Sequence, residues 1–122
     1  MTGKAVIQVQ VRRIYEPPAP ADGVRVLVDR IWPRGLTRAN AALDEWCKEV
    51  APSTALRKWY GHDPQRFEEF SQRYRVELED EHRSKLVSHL REVASQRALT
   101  LLTATKDIQI SAAKVLMEVL SR

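Results

Sequence analysis

Val24-Arg25-Val26-Leu27-Val28-Asp29-Arg30-Ile31-Trp32-Pro33-Arg34-Gly35 is an apolar run that stops abruptly in charge, a tryptophan and a Pro-x-Gly turn. Val24, Val26, Leu27 and Val28 place apolar side chains on both faces of a strand, the pattern of an interior strand covered from two sides. That pattern selects a layered α/β domain. The chemistry sits where the strand ends, so a second expectation follows: a site built on Arg30, Trp32 and Arg34.

Upstream, Ala5, Ile7, Val9 and Val11 alternate with Val6, Gln8, Gln10 and Arg12, a period of two that predicts a strand with one wetter face near a sheet edge. Glu16-Pro17-Pro18-Ala19-Pro20-Ala21-Asp22-Gly23 then forms an extended surface loop and a turn, because its prolines exclude a helix or strand interior. A parallel crossover usually needs a dozen or more residues. The first two strands are therefore expected to be antiparallel or non-adjacent.

Downstream, Thr37 caps a short helix to about Leu43, with Arg38 and Asn40 outward. Leu43 to Val50 fits a helix or a short strand; the strand is preferred, and Ala51-Pro52 ends either. Ser53 caps a helix over 54–60 that Gly61 closes, and Asp63-Pro64 opens a long amphipathic helix with Phe67, Phe70, Tyr74 and Leu78 as its buried stripe. Leu86, Leu90 and Val93 extend the helical pattern to about Gln96 after a break near Asp80. Ala98 to Ala104 reads as another interior strand, ending in Thr105-Lys106-Asp107, and Ala113, Leu116, Met117 and Leu120 form the inner face of a closing helix. The whole predicts a single domain over residues 1–122, of three-layer type, with a small mixed or mostly parallel sheet flanked by helices.

At 122 residues, 43% hydrophobic and 30% charged, the composition is that of an ordinary globular domain. No apolar run is long enough to span a bilayer and the N-terminus lacks a signal-type apolar region, so a cytoplasmic location and no membrane partner are expected. The single cysteine, Cys47, rules out an internal disulfide and paired-cysteine zinc sites, and is read as a small buried side chain. Residues 1–40 hold seven basic side chains against three acidic ones, while the rest of the chain holds thirteen of each. The net charge of +4 thus lies wholly around the opening stretch, and six of those seven cations are arginine, whose planar fork suits carboxylate or phosphate.

Ligands of open α/β sheets bind outside the carboxyl ends of parallel strands. If the strands ending at Asp29-Arg30 and at Lys106-Asp107 are parallel neighbours, Arg30, Arg34 and Lys106 converge as ligand-binding groups with Trp32 as a wall. His62, in a loop of turn residues, and Asp107 are the candidates for proton transfer, each without a firm role. The competing reading makes Asp29, Arg30, Lys106 and Asp107 structural ion pairs, packs Trp32 onto the core and leaves His62 in solvent. His82 and His89, two helical turns apart, lack a third ligand, so no metal and no cofactor are expected. Phosphate-loop, zinc-protease and Gly-x-Ser-x-Gly motifs are all missing.

Gly23-x-Arg25-Val26-Leu27-Val28-Asp29-Arg30-x-Trp32-Pro33-Arg34-Gly35, Ala51-Pro52-Ser53-Thr54 with Leu56-Arg57-Lys58-Trp59, and Gly61-His62-Asp63-Pro64 leading to Arg73-Tyr74 resemble the YeaO-like family of small bacterial proteins of unknown function. The resemblance implies no activity. A transcriptional-regulator label carried by some members finds no support in a helix-turn-helix pattern here. The chain departs from the family pattern near its end. Where members typically show Asn-His-Ala, it reads Ser111-Ala112-Ala113, and any imidazole contributed there is missing.

Three readings of function follow. The first is binding of a small anionic or phosphorylated ligand in an Arg-rich cleft, with turnover left open and so too whether the protein is an enzyme. The second is a nucleic-acid-associated or regulatory protein using Arg12, Arg13 and Arg38 as well. The third is a protein-interaction module, a homodimer included.

Overall fold

The computed structural model describes residues 8–122, so residues 5–7 of the expected first strand lie outside the described residues. Strands β1 (Val9–Arg13), β2 (Val24–Leu27), β3 (Glu45–Trp46) and β4 (Leu99–Thr103) form one sheet in the order β1-β4-β2-β3, and every pairing is parallel. The last strand in sequence slots between the first two, with Leu99 opposite both Val9 and Val24. Non-adjacency, rather than an antiparallel hairpin, is how the short proline-rich connection is accommodated.

The helices are α1 (Arg38–Ala41), α2 (Thr54–Tyr60), α3 (Phe67–Glu77), α4 (Glu81–Gln96) and α5 (Ala112–Leu120). Their starts follow the chemistry of the caps. The side chains of Thr37, Ser53, Asp80 and Ser111 accept from the amides of Asn40, Leu56, Arg83 and Lys114, and Gly61 closes α2 in the left-handed conformation at φ 53°. The 43–50 segment is a two-residue strand followed by a 3-10 turn over Lys48–Val50. Among the described residues no helix is long and apolar enough to cross a membrane.

Strand alternation sorts the core into two faces. Val26, Val28, Leu99 and Leu101, flanked by Val9 and Val11, pack against the buried sides of α2, α3, α4 and α5. On the other face Leu27, Leu102 and Ile14 are covered by Trp32, Leu36, Ala41, Leu43 and Trp46. The layers are unequal. Four helices cover one face, and one short helix with the β2–β3 connection covers the other. Cys47 is buried in the larger core, where burial pushes its thiol up to about 11 and leaves it protonated and inert.

At the amino end of the sheet, the smaller face also holds charge. Asp22, 1% exposed, accepts from the guanidinium of Arg12 at 2.7 Å, from Arg25, and from the Ala19 amide at 3.0 Å. Arg25, itself buried, also donates to the carbonyls of Ala41 and Ala42, tying α1 down. Burial alone would raise the Asp22 pKa, but the Ala19 amide and the two arginines outweigh it and hold the carboxyl below its ordinary range. Gly23 follows with φ 63°, where a Cβ would stand 2.2 Å from the Ala98 carbonyl oxygen, so only glycine fits.

Removing one partner of a buried ion pair strands the others, so Asp22→Ala is expected to cost about 3–5 kcal/mol at pH 7. The native carboxyl binds its proton less tightly than the unfolded one. Its contribution is therefore present above the ordinary carboxylate pKa and is lost as pH falls through the native titration. Urea unfolding of both proteins across pH 3–7 checks this; a gap under about 1 kcal/mol, or one that does not narrow on acidification, contradicts it.

Candidate functional site

Three parallel strands deliver their carboxyl ends to one cavity of about 1050 Å3. Tyr15 comes from the segment after β1, Asp29 to Arg34 from the segment after β2, and Ala104 to Asp107 from the segment after β4; α2 closes the side with Thr54, Arg57, Lys58 and Tyr60. Parallel pairing of β2 with β4 brings the two charged strand ends together.

Asp29 organises the floor. Its carboxylate accepts from the Thr103 hydroxyl at 2.8 Å and from the Ala104 amide at 2.8 Å, and its carbonyl accepts from the Trp46 indole N–H at 2.7 Å. One residue thus ties the end of β2 to the end of β4 and to β3. Burial pushes the Asp29 carboxyl up and prevails over its two hydrogen bonds and the nearby His62 and Arg57, which pull it down. Asp29 is accordingly spent on architecture and does not pair with Arg30.

All six residues singled out in the sequence line this cavity: Arg30, Trp32, Arg34, Lys106, His62 and Asp107. The ion pairs of the competing reading, among Asp29, Arg30, Lys106 and Asp107, do not form. Arg30 instead reaches Glu49 at 3.4 Å, and its Nε is buried without a partner. Arg34 is exposed, and its carbonyl accepts from the Tyr15 hydroxyl at 2.9 Å. Lys106 is exposed, while the Asp107 carboxylate accepts from the Gln109 amide at 3.0 Å, capping a 3-10 turn over Ile108–Ile110. That cap gives Asp107 a local structural task.

His62 is exposed and has φ 56°, a left-handed backbone that few non-glycine residues adopt. Its ring lies 5.7 Å from that of Tyr60, and among the described residues no side chain hydrogen-bonds its nitrogens. Tyr60 donates its hydroxyl to the Ile110 carbonyl at 2.6 Å, and burial pushes its phenol up to about 12, so it is a neutral wall. Trp32 packs against the smaller core and also borders the cavity. Its N–H donates to the Leu36 carbonyl at 2.7 Å, its ring meets Trp46 edge-on at 5.3 Å, and Arg38 stacks over it at 4.2 Å, yet it still lines the cavity.

Two cations escaped the sequence reading. Arg57 and Lys58 line the same cavity from α2, and the Nε of Arg57 is buried without a partner. Among the described residues Arg34, Arg57, Lys58 and Lys106 make no ion pair. Five basic side chains and two acidic ones therefore share the cavity wall, and both carboxylates already have hydrogen-bond partners. The local signal was present: Leu56 and Tyr60 fix the rotation of α2 and so the direction of Arg57, but only the tertiary fold sets α2 over the strand ends.

The arginines invoked for nucleic acid are engaged elsewhere. Arg12 is held by Glu16 and Asp22, Arg13 reaches the carbonyls of Ala104 and Thr105, and Arg38 lies on Trp32. His82 and His89 face Glu49 and Glu45, and no cluster able to hold a metal ion occurs among the described residues. Ser111 is a buried cap, and Ala112, at the histidine place of the Asn-His-Ala triplet, presents only a methyl group to the cavity.

The profile of a family described as the inactive DUF488-N3 subclade matches residues 8–122. The chain is 46% identical over 114 residues to the uncharacterized proteins Rv3073c of Mycobacterium tuberculosis and Mb3100c of Mycobacterium bovis, covering 93% of this chain and 94% of each relative. It is 39% identical over 113 residues to the uncharacterized protein YeaO of Escherichia coli, covering 92% of this chain and 96% of that one. No solved structure matches it.

Loss of the Asp29 carboxylate leaves the part-buried Ala104 amide without an acceptor and the buried Thr103 hydroxyl with only the Thr105 hydroxyl at 3.1 Å. Asp29→Ala is expected to destabilise the fold by about 2–4 kcal/mol. Guanidinium unfolding measures it; a cost below about 1 kcal/mol would remove Asp29 from its place as the tie between strand ends.

Proposed function

Because the chain belongs to the inactive DUF488-N3 subclade, we propose that it binds a small anionic or phosphorylated molecule at the carboxyl ends of its strands and does not turn it over. The observation that carries this reading is the unpaired charge: Arg34, Arg57, Lys58 and Lys106 line one concave surface without an acidic partner. Like charges held together in a part-buried cavity repel one another, and an anion relieves that repulsion while making charge-assisted hydrogen bonds. Arg30 and Arg57 supply planar guanidinium groups suited to two-pronged contact with a phosphoryl or carboxyl group.

Absence of turnover is supported by what surrounds the anion site. His62 has no side chain to orient its ring, Asp107 caps a turn, Tyr60 stays protonated and Ala112 has no functional group. Among the described residues no third group orients His62 as the base of an activated nucleophile. Membership of a subclade described as inactive points the same way.

Isothermal titration with inorganic phosphate and pyrophosphate at low salt tests the reading. Arg57→Ala and Arg30→Ala are each expected to weaken binding about 10-fold, the value of one hydrogen bond to a charged group. Affinities unchanged in both variants, or no binding by the unaltered protein, would refute the anion site.

A further inference from the structure

The cavity is larger and more apolar than an inorganic anion requires. Between its cations stand Val28, Ile31, Trp32, Pro33, Phe70 and Ile110. Its volume of about 1050 Å3 is that of a pocket for an organic molecule, roughly 300–1,000 Å3. Phosphate alone would fill a small part of it.

The distribution of exposed apolar surface is the second observation. Among the described residues three large hydrophobic side chains are exposed, Tyr15 at 43%, Ile31 at 66% and Val76 at 68%, and two of the three, Tyr15 and Ile31, line this cavity. Exposed apolar groups gathered at a concave site are area that a bound molecule removes from water. Their surroundings are also rigid. The Tyr15 hydroxyl is tied to the Arg34 carbonyl at 2.9 Å with Arg13 over its ring at 5.2 Å, and Trp32 is fixed by Leu36, Trp46 and Arg38. A pre-ordered wall needs little further ordering when a ligand arrives.

Resting on the reading of the cavity as an anion site, we infer that its ligand is an amphiphilic organic anion. One phosphoryl or carboxyl group lies among the cations, and a flat apolar body covers Tyr15, Ile31 and Trp32. The chemistry divides cleanly. Inorganic phosphate uses only the guanidinium and ammonium groups, and a neutral aromatic molecule leaves those groups unpaired, whereas an aromatic anion satisfies both parts of the wall.

The test is titration calorimetry with four probes: 1-naphthyl phosphate, 1-naphthoate, inorganic phosphate and 1-naphthol. At least one naphthyl anion should bind about 10-fold or more tightly than both inorganic phosphate and 1-naphthol, since covering even a modest apolar area is worth that factor. The tighter of the two naphthyl anions identifies the charged group. Ile31→Ser, a change at an exposed position, should lower the ratio of naphthyl-anion to phosphate affinity several-fold. Inorganic phosphate binding as tightly as both naphthyl anions, or a ratio unmoved in Ile31→Ser, overturns the amphiphile while leaving the anion site intact. Binding of 1-naphthol as tightly as the anions, or failure of every anion to bind, overturns both.

Discussion

The structure depends on one carboxylate, that of Asp29, placed where the central strands stop. A parallel sheet leaves unpaired amides at the carboxyl ends of its strands, and in most folds the following loops must satisfy them. Here a single side chain accepts from the last strand's Thr103 and Ala104 while its own carbonyl accepts from Trp46. The consequence is positional. With Asp29 occupied by hydrogen-bond donors, the residues after it, Arg30 to Arg34, are free to line a cavity instead of folding back on their own strand.

The two ends of the sheet handle charge in opposite ways. At the amino end Asp22 neutralises Arg12 and Arg25 within a buried network, and the result is cohesion. At the carboxyl end the cations outnumber the carboxylates, and both carboxylates present are already bonded to main-chain or hydroxyl donors. The buried pairs hold the segment before β2 to the sheet, whereas Arg34, Arg57, Lys58 and Lys106 line the cavity without an ion pair among the described residues. The positive excess counted in residues 1–40 is thus split between the two ends of the sheet, with Arg12 and Arg25 in the buried network and Arg30, paired to Glu49, and Arg34 on the cavity wall.

Much of the fold is legible in local sequence because its elements obey local rules. The caps at Thr37 and Ser53, the break near Asp80, the stop at Gly61 and the stripe from Phe67 to Leu78 are set by hydrogen-bonding and periodicity within a few residues. Strand order is a different matter. That β4 enters between β1 and β2 depends on pairing across some 75–90 residues, which no local pattern records. For the same reason Asp22, a turn residue by its neighbours, emerges as the hub of a buried network, and Arg57 and Lys58, surface residues by theirs, emerge on the cavity wall. That the residues after β2 and β4 share one cavity was legible because the rule for carboxyl ends of parallel strands needs only the strand direction, and the pairing is parallel. The competing reading of ion pairs there does not hold, because Asp29 accepts instead from Thr103 and Ala104.

The most direct measurement is a crystal structure grown with tungstate, an electron-dense tetrahedral anion that stands in for phosphate. The account predicts one ordered tungstate in the cavity, within hydrogen-bonding distance of Arg57 and at least one of Arg30, Arg34 or Lys106. An empty cavity at millimolar tungstate, or the anion bound only elsewhere on the molecule, would contradict it.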